Sequence, residues 1–311
     1  MATSHPVTIV IPVYGDWPSL SECIAALKEH IDHDAHRVML VNDCGPDADL
    51  IEKNIKKDIK GYKDFAYYRN PKNLGFIGNC NRAVLELDDT NNDILLLNSD
   101  TKVTAGFLEE MTTALYSAEN IGAVSPRSNN ATIATVPLSA APQKGIESEK
   151  SYQIFQKIKN KLPRYVKVPV AHGFCMLIRR DLIKKYGLFD PIFGKGYGEE
   201  VDFCMRVKQE GYECLLANRA YVFHLEARSF SLETKAKLLE ENNKVIWSRW
   251  PKYRQSVREY MTDAVARETA IQESVLSARQ SPHKLINKTK RHLLRYPVVR
   301  KLATRLRSNK K

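Results

Sequence analysis

The sequence predicts an α/β fold built on a mostly parallel sheet flanked by helices, and two observations carry that reading. Short apolar runs bounded by turn residues alternate with segments of helical period through the first 125 residues, which is the pattern of βαβ units. Those runs end in polar clusters, and the carboxyl ends of parallel strands are where such a sheet presents ligand-binding groups.

Val7-Thr-Ile-Val-Ile-Pro-Val is the opening strand, and Asp16 stands as N-cap of a helix with Leu20, Cys23, Ile24, Leu27 and Ile31 on one face. Arg37-Val-Met-Leu-Val is the second strand, Asp49 to Lys60 a charged helix and Phe65-Ala-Tyr-Tyr the third strand. A helix from about Gly78 to Leu87 leads to the strand Asp93-Ile-Leu-Leu-Leu, then a helix over Thr104 to Ser117 and a strand at Gly122-Ala-Val-Ser. Residues 126 to 165, rich in Ser, Asn, Pro and Lys, are expected as a loop or insertion. Val168 to Ile178 is expected as a strand, Arg180 to Tyr186 and Glu199 to Gln209 as helices, Cys214 to Phe223 as a closing strand and Leu232 to Trp247 as an exposed helix.

With 43% hydrophobic and 27% charged residues, the chain is neither disordered nor fibrous. Its net charge of +12 lies wholly in the tail: Ser274 to Lys311 carries twelve Lys or Arg and no acidic residue, leaving positions 1 to 273 balanced. The body shows no basic stripe interleaved with aromatics, so nucleic acid is not the expected partner, although a basic tail alone permits one. The cysteines form no C-x-x-C pair and read as reduced core residues. The run Val7 to Ile11 is too short for a signal peptide or a membrane span. A cytoplasmic location is therefore expected.

The strand ends carry the candidate chemistry: Pro12-Val-Tyr14, Asn42-Asp43, Arg69-Asn70 and Asn98-Ser99-Asp100. A hard divalent cation bridging a diphosphate needs only one or two protein carboxylates. Asp100 suits that role, and it equally suits capping of the helix that follows. Gly194-Lys-Gly-Tyr-Gly-Glu199-Glu200-Val-Asp202 sets three carboxylates behind a glycine-rich approach. They either start a helix, with Asp202 pairing Arg206 at i, i+4, or serve in catalysis. His224 ends its strand, where a histidine is either structural or, together with Asp100, a ligand for Mn²⁺ or Mg²⁺.

In this order these segments resemble the family 2 inverting glycosyltransferases of GT-A fold, over about residues 7 to 230. Val7 to Tyr14 is similar to the family's opening strand and Asn42-Asp43-Cys-Gly to its V-D-D-G-S turn. Asn73-Leu-Gly-Phe-Ile-Gly-Asn-Cys-Asn81 resembles its N-x-G-x-x-x-x-x-N segment, Asn98-Ser-Asp100 its D-x-D motif, and Gly198-Glu-Glu-Val-Asp202 its E-D-x-D segment. The resemblance implies that Pro12, Tyr14, Asp43, Asn73, Gly75, Asn81, Asn98 and Ser99 bind a nucleoside-diphosphate sugar. It implies that Asp100 and His224 hold the metal, that Glu200 (with Glu199 as alternative) is the base, and that His172, Gly173 and Asp202 face the substrates. Asn98 replaces the first D-x-D carboxylate, Glu200 the commoner Asp, and Cys80 an Arg near the diphosphate, so another cation is expected there.

Within the family, Asn98-Ser-Asp-Thr and Gly-Tyr-Gly-Glu-Glu-Val-Asp resemble bacterial rhamnosyltransferase-like members that build cell-surface polysaccharides. L-Rhamnose is thus the expected donor sugar, with galactofuranose, glucose or N-acetylhexosamine as alternatives, and a lipid-linked or polysaccharide molecule the acceptor. In the tail, Leu285, Ile286, Leu293, Leu294, Val298, Val299, Leu302 and Leu306 interleave with cations. A basic amphipathic segment of this kind binds anionic membrane surfaces, which predicts peripheral attachment to the inner face of the cell membrane. The expected organisation is a catalytic domain (1–230), a helical extension (231–273) and this basic tail (274–311).

Overall fold

The computed structural model describes residues 5–140, 147–225 and 232–278. Nine strands are named among them: β1 (Val7–Val13), β2 (Arg37–Asn42), β3 (Phe65–Arg69), β4 (Asp93–Leu97), β5 (Thr101–Val103), β6 (Ile121–Arg127), β7 (Tyr165–Val168), β8 (Cys175–Ile178) and β9 (Glu213–His224). The helices are α1 (Trp17–His30), α2 (Ala48–Asp58), α3 (Gly75–Arg82), α4 (Phe107–Leu115), α5 (Ser148–Ile158), α6 (Arg180–Tyr186), α7 (Glu199–Gln209), α8 (Leu232–Arg249) and α9 (Tyr253–Ala278).

The strands join in the order β3-β2-β1-β4-β8-β6-β9-β5, with β7 on β9. The first half is parallel as expected, β1 lying between β2 and β4. The sheet as a whole is mixed, because β8 runs antiparallel to β4 and β6, and β9 is antiparallel to β5 and β7. The central strands are largely apolar and buried because helices cover both faces; β4, for example, is buried at every residue. Asp16 caps α1 as predicted, accepting from the Ser19 backbone N–H at 3.5 Å and its hydroxyl at 2.7 Å.

Several departures from the sequence reading matter for the site. The segment expected as one strand over 168–178 is two, β7 and β8, separated by a turn at His172 and Gly173. The region expected as a loop over 126–165 is largely core. Ala131, Ile133, Ala134, Val136 and Leu138 are buried, and α5 buries Phe155 and Ile158. This irregular backbone tolerates burial because side chains satisfy it: the Ala131 N–H donates to Thr135 Oγ1 at 3.0 Å, and Ser151 Oγ donates to the Val136 carbonyl.

Residues up to Ala266 form one compact unit that includes the sheet, so the helical extension expected from 231 starts as part of the same body. α8, expected as exposed, buries Asn242 and Ile246. The basic tail from Arg279 onward lies outside the described residues.

Candidate functional site

Strand order reverses at β1, between β2 and β4, and the carboxyl ends there form the crevice where such sheets bind ligands. Tyr14, just past β1, is 41% exposed. The turn after β2 crosses directly behind it: a Cβ on Gly45 would fall 1.5 Å from the Tyr14 carbonyl oxygen, so only glycine permits the approach. Pro12 is partly buried in β1.

Asp43, at the end of β2, is 3% exposed. Its Oδ1 accepts from Asn70 Nδ2 at 2.7 Å and the Leu74 N–H at 2.8 Å, tying β2 to the approach to α3. Burial raises its carboxyl pKa against those hydrogen bonds. Asn73 is exposed and accepts the Gly75 N–H at 2.9 Å, with Gly75 at φ 73°. Asn81 uses both ends of its amide on the Phe189 backbone, at 2.8 and 3.0 Å, and so orders that segment rather than presenting a free amide to a ligand.

A cavity of about 380 Å³ opens between α3 and the glycine-rich turn, lined by Asn73, Gly75, Gly78, Asn81, Pro191, Gly194 and Lys195 among others. Lys195 is its cation, a residue the sequence reading passed over although it stands between two glycines of the turn. Cys80 is fully buried, and burial, then the charges of Glu199 and Asp43, push its thiol up, so that position faces the interior.

The Asn98-Ser99-Asp100 corner meets the end of β9. The Asn98 N–H donates to the Phe174 carbonyl at 2.9 Å. Thr101, the first residue of β5, lies opposite His224 in the ladder. That pairing sets His224 Nε2 3.6 Å from Asp100 Oδ1. His224 Nδ1 lies 2.8 Å from the Asn130 carbonyl; because a carbonyl only accepts, Nδ1 carries a proton, and Nε2 is the ring nitrogen that faces Asp100. Phe174 stacks on the His224 ring, with centroids 5.0 Å apart. His172 is anchored by its N–H to Ser125 Oγ at 2.6 Å.

Glu200 lies against the same turn at Gly173. A Cβ on Gly173 would lie 3.5 Å from Glu200 Cβ and Cγ. The His172 to Phe174 turn therefore neighbours Glu200 through Gly173 and the Asp100–His224 pair through Phe174. Gly198, at φ 104°, turns the chain into α7, and its N–H donates to Glu200 Oε2 at 3.2 Å. Burial raises the Glu200 carboxyl pKa. Glu199 is more deeply enclosed, 5% exposed, with Oε2 lacking a hydrogen-bond partner among the described residues. Burial, then the charge of Glu200, holds its pKa well above the usual carboxylate range.

Asp202 corrects one expectation. It is fully buried and accepts from Arg206 Nε at 2.9 Å, Arg249 at 3.0 Å and Trp250 Nε1 at 3.1 Å. The Arg206 pairing is as predicted, but a carboxylate enclosed by three protein donors joins α7 to α8 and does not face a substrate. Asn242 of α8, also missed, donates its amide to the carbonyls of Phe193, Gly196 and Tyr197 at 2.8 to 2.9 Å and so anchors the glycine-rich turn. Tyr253 is partly buried nearby; burial and then Glu200 raise its phenol pKa.

Among the described residues no group of three or more His, Cys, Asp or Glu gathers as a metal site. The Asp100–His224 pair nonetheless fits one small divalent cation. Its 3.6 Å separation is within twice the roughly 2.1 Å bond such ions make, and diphosphate oxygens and water customarily complete the shell.

A relative 26% identical over 151 residues is the low-salt glycan biosynthesis hexosyltransferase Agl10 of Haloferax volcanii, with 48% of each chain covered. The chain spans about half the length of the curated relatives it matches. Among solved structures, the mannosyltransferase PcManGT of Pyrobaculum calidifontis, in complex with GDP-Man and Mn²⁺, superimposes with a TM-score of 0.58 at 15% identity, covering 96% of this chain and 83% of that one. GalNAc-T7 with UDP, GalNAc and Mn²⁺ gives 0.59 at 12% identity, covering 90% and 59%. At these identities the structures establish a shared GT-A fold. The family model for glycosyl transferase family 2 matches residues 8–187, more than half of the 311-residue chain, and the chain belongs to that family.

Proposed function

We propose that the chain transfers a hexose from a nucleoside-diphosphate donor to an acceptor hydroxyl with inversion at the anomeric carbon. The observation that carries this reading is the His172–Phe174 turn, which brings Glu200, beside Gly173, and the Asp100–His224 pair, beside Phe174, to one short segment. Pro12 and Tyr14 line the nucleotide pocket, Asp43 meets the base or ribose, and Asn98 and Ser99 border the ribose side. Asn73, Gly75 and Lys195 hold the diphosphate, Lys195 serving as the cation that Cys80 does not provide. His172 and Gly173 border the sugar.

Glu200 removes the acceptor hydroxyl's proton as that oxygen attacks the anomeric carbon. The bond from that carbon to the diphosphate breaks and its electron pair leaves with the nucleoside diphosphate. Glu200 suits this role better than Glu199, which is more deeply buried and whose carboxyl pKa is pushed well above the usual range by that burial and then by Glu200. A divalent cation on Asp100 and His224 would supply charge against the negative charge growing on the leaving group.

The sugar is L-rhamnose on the motif resemblance, and the hexosyltransferase relative from Haloferax volcanii supports a hexosyl donor more broadly. The acceptor is a lipid-linked or polysaccharide hydroxyl of the cell surface, reached from the cytoplasmic face with the basic tail on anionic lipid. No helix of the described residues is long and apolar enough to cross a membrane.

A panel of nucleotide sugars screened by thermal shift with and without Mn²⁺ tests the reading, since a ligand that binds only the native state raises its stability. One nucleoside-diphosphate sugar is expected to stabilise the chain in a Mn²⁺-dependent way. Absence of any such shift across the panel would refute it.

A further inference from the structure

We infer that Asn129 is a positioning residue for the metal site, holding His224 so that its ring presents one tautomer to the cation. The inference rests on the reading of Asp100 and His224 as metal ligands. Asn129 is 5% exposed and lies in the segment that sequence patterning marks as a loop. Its side chain acts as an extra rung of the sheet: Oδ1 accepts the His224 backbone N–H at 2.8 Å, and Nδ2 donates to the His224 carbonyl at 2.9 Å.

On this flank the β6 partner of β9 ends at Arg127, opposite Tyr221, so the backbone ladder has run out before His224 is reached. Asn129 continues it with an amide side chain, itself tied to Ser148 Oγ of α5 at 3.2 Å. The next carbonyl along, that of Asn130, takes the proton of His224 Nδ1 at 2.8 Å. Two adjacent residues thus fix both the backbone and the ring. On the opposite flank β5 pairs with His224 through Thr101, and the Asp100 carbonyl accepts the Leu225 N–H at 2.9 Å. Both candidate ligands are held to the same end of β9, and Nε2 is left facing Asp100. Hydrogen bonds that fix the tautomer and orientation of a ligating histidine customarily account for 10- to 100-fold in metal affinity.

The test uses the full chain. Mn²⁺ affinity is measured by the electron paramagnetic resonance signal of free Mn²⁺, and the His224 ring tautomer by ¹⁵N NMR of the metal-free protein at about pH 8. Wild type is expected to bind Mn²⁺ with a single Nδ1-protonated tautomer. Asn129→Ala should bind Mn²⁺ roughly 10- to 100-fold more weakly and show mixed tautomers. Asn129→Ser, a milder change whose shorter single hydroxyl cannot make both bonds to the His224 backbone at once, should shift both readouts in the same direction and stands in should the alanine variant not fold. An unchanged single tautomer together with unchanged Mn²⁺ affinity in the folded variants would overturn the inference. If wild type itself binds no Mn²⁺ the metal reading fails, while the tautomer measurement still decides the role of Asn129.

Discussion

Asp100 Oδ1 lies 3.6 Å from His224 Nε2, although the two residues are far apart in the chain. Their meeting depends on β5, three residues long, whose Thr101 sits opposite His224. A strand that short is no stable unit alone; it is stabilised by joining the edge of a sheet already formed by β9 and its neighbours. The candidate ligand pair is therefore a product of the completed fold.

Truncating either member should separate metal binding from folding. Asp100 is a partly buried corner residue whose backbone carbonyl, retained in any variant, takes the Leu225 N–H. Asp100→Ala and His224→Ala are each expected to lower transfer by on the order of 10² to 10⁴ and to abolish the thermal stabilisation by Mn²⁺; without metal the melting temperature should change little in Asp100→Ala and fall in His224→Ala, which loses the ring's stacking on Phe174 and its bond to the Asn130 carbonyl. Normal turnover by Asp100→Ala would remove this pair from the site.

Glu200 makes a pH prediction whose sign follows from its environment. Burial raises its carboxyl pKa, and a general base works only when ionised. Activity should therefore fall as pH drops through this raised value, at higher pH than an ordinary carboxylate would require. Glu200→Gln should lower kcat/KM by about 10² to 10⁴ with the protein still folded. A wild-type acid limb at the ordinary carboxylate position, or full activity in the Gln variant, would count against Glu200 as base.

What the sequence made legible, and what it did not, divides along the range of the interactions involved. β1, β2 and β4 could be read because an apolar run covered on both faces has one dominant signal, and Asp16 as a cap because its partner Ser19 is three residues away. Motif order brought Asp43, Asp100, Glu200 and His224 forward as candidates. It could not show that Asp202 would be enclosed by Arg249 and Trp250, since those partners sit at the far end of α8, more than forty residues on. Nor could it show that the polar stretch holding Asn129 would be buried, because its backbone is satisfied by irregular bonds within the segment and by Ser151, with no repeating period to read. The expectation of a mostly parallel sheet held as far as β4 and gave way where β8 inserts against it.

Glu199 predicts a stability change without loss of function. Its folded pKa is raised by burial and by Glu200, so the native state holds that proton more tightly than the unfolded chain. The associated stability is complete below the unfolded value and is lost as pH rises toward the folded one. A neutral isostere escapes this dependence. Glu199→Gln should thus melt close to wild type at about pH 4.5 and progressively higher than wild type toward pH 8, with transfer activity retained. A melting difference independent of pH would contradict a raised Glu199 pKa, and loss of activity would shift the base role toward it.

Asn242 supplies the last prediction, because its amide has two hydrogens for three carbonyls, those of Phe193, Gly196 and Tyr197. Asn242→Ala leaves these acceptors facing an emptied, buried position, which should cost about 1 to 3 kcal/mol in denaturant unfolding. It should also raise the donor KM by loosening the turn that carries Lys195. Asn242→Asp has nearly the same shape but aims carboxylate oxygens at carbonyl oxygens, so it should be at least as destabilising at neutral pH and recover as pH falls and the carboxyl takes a proton to donate. If shape alone held the turn, the Asp variant would match wild type at every pH; the predicted recovery in acid is the signature of a donor requirement.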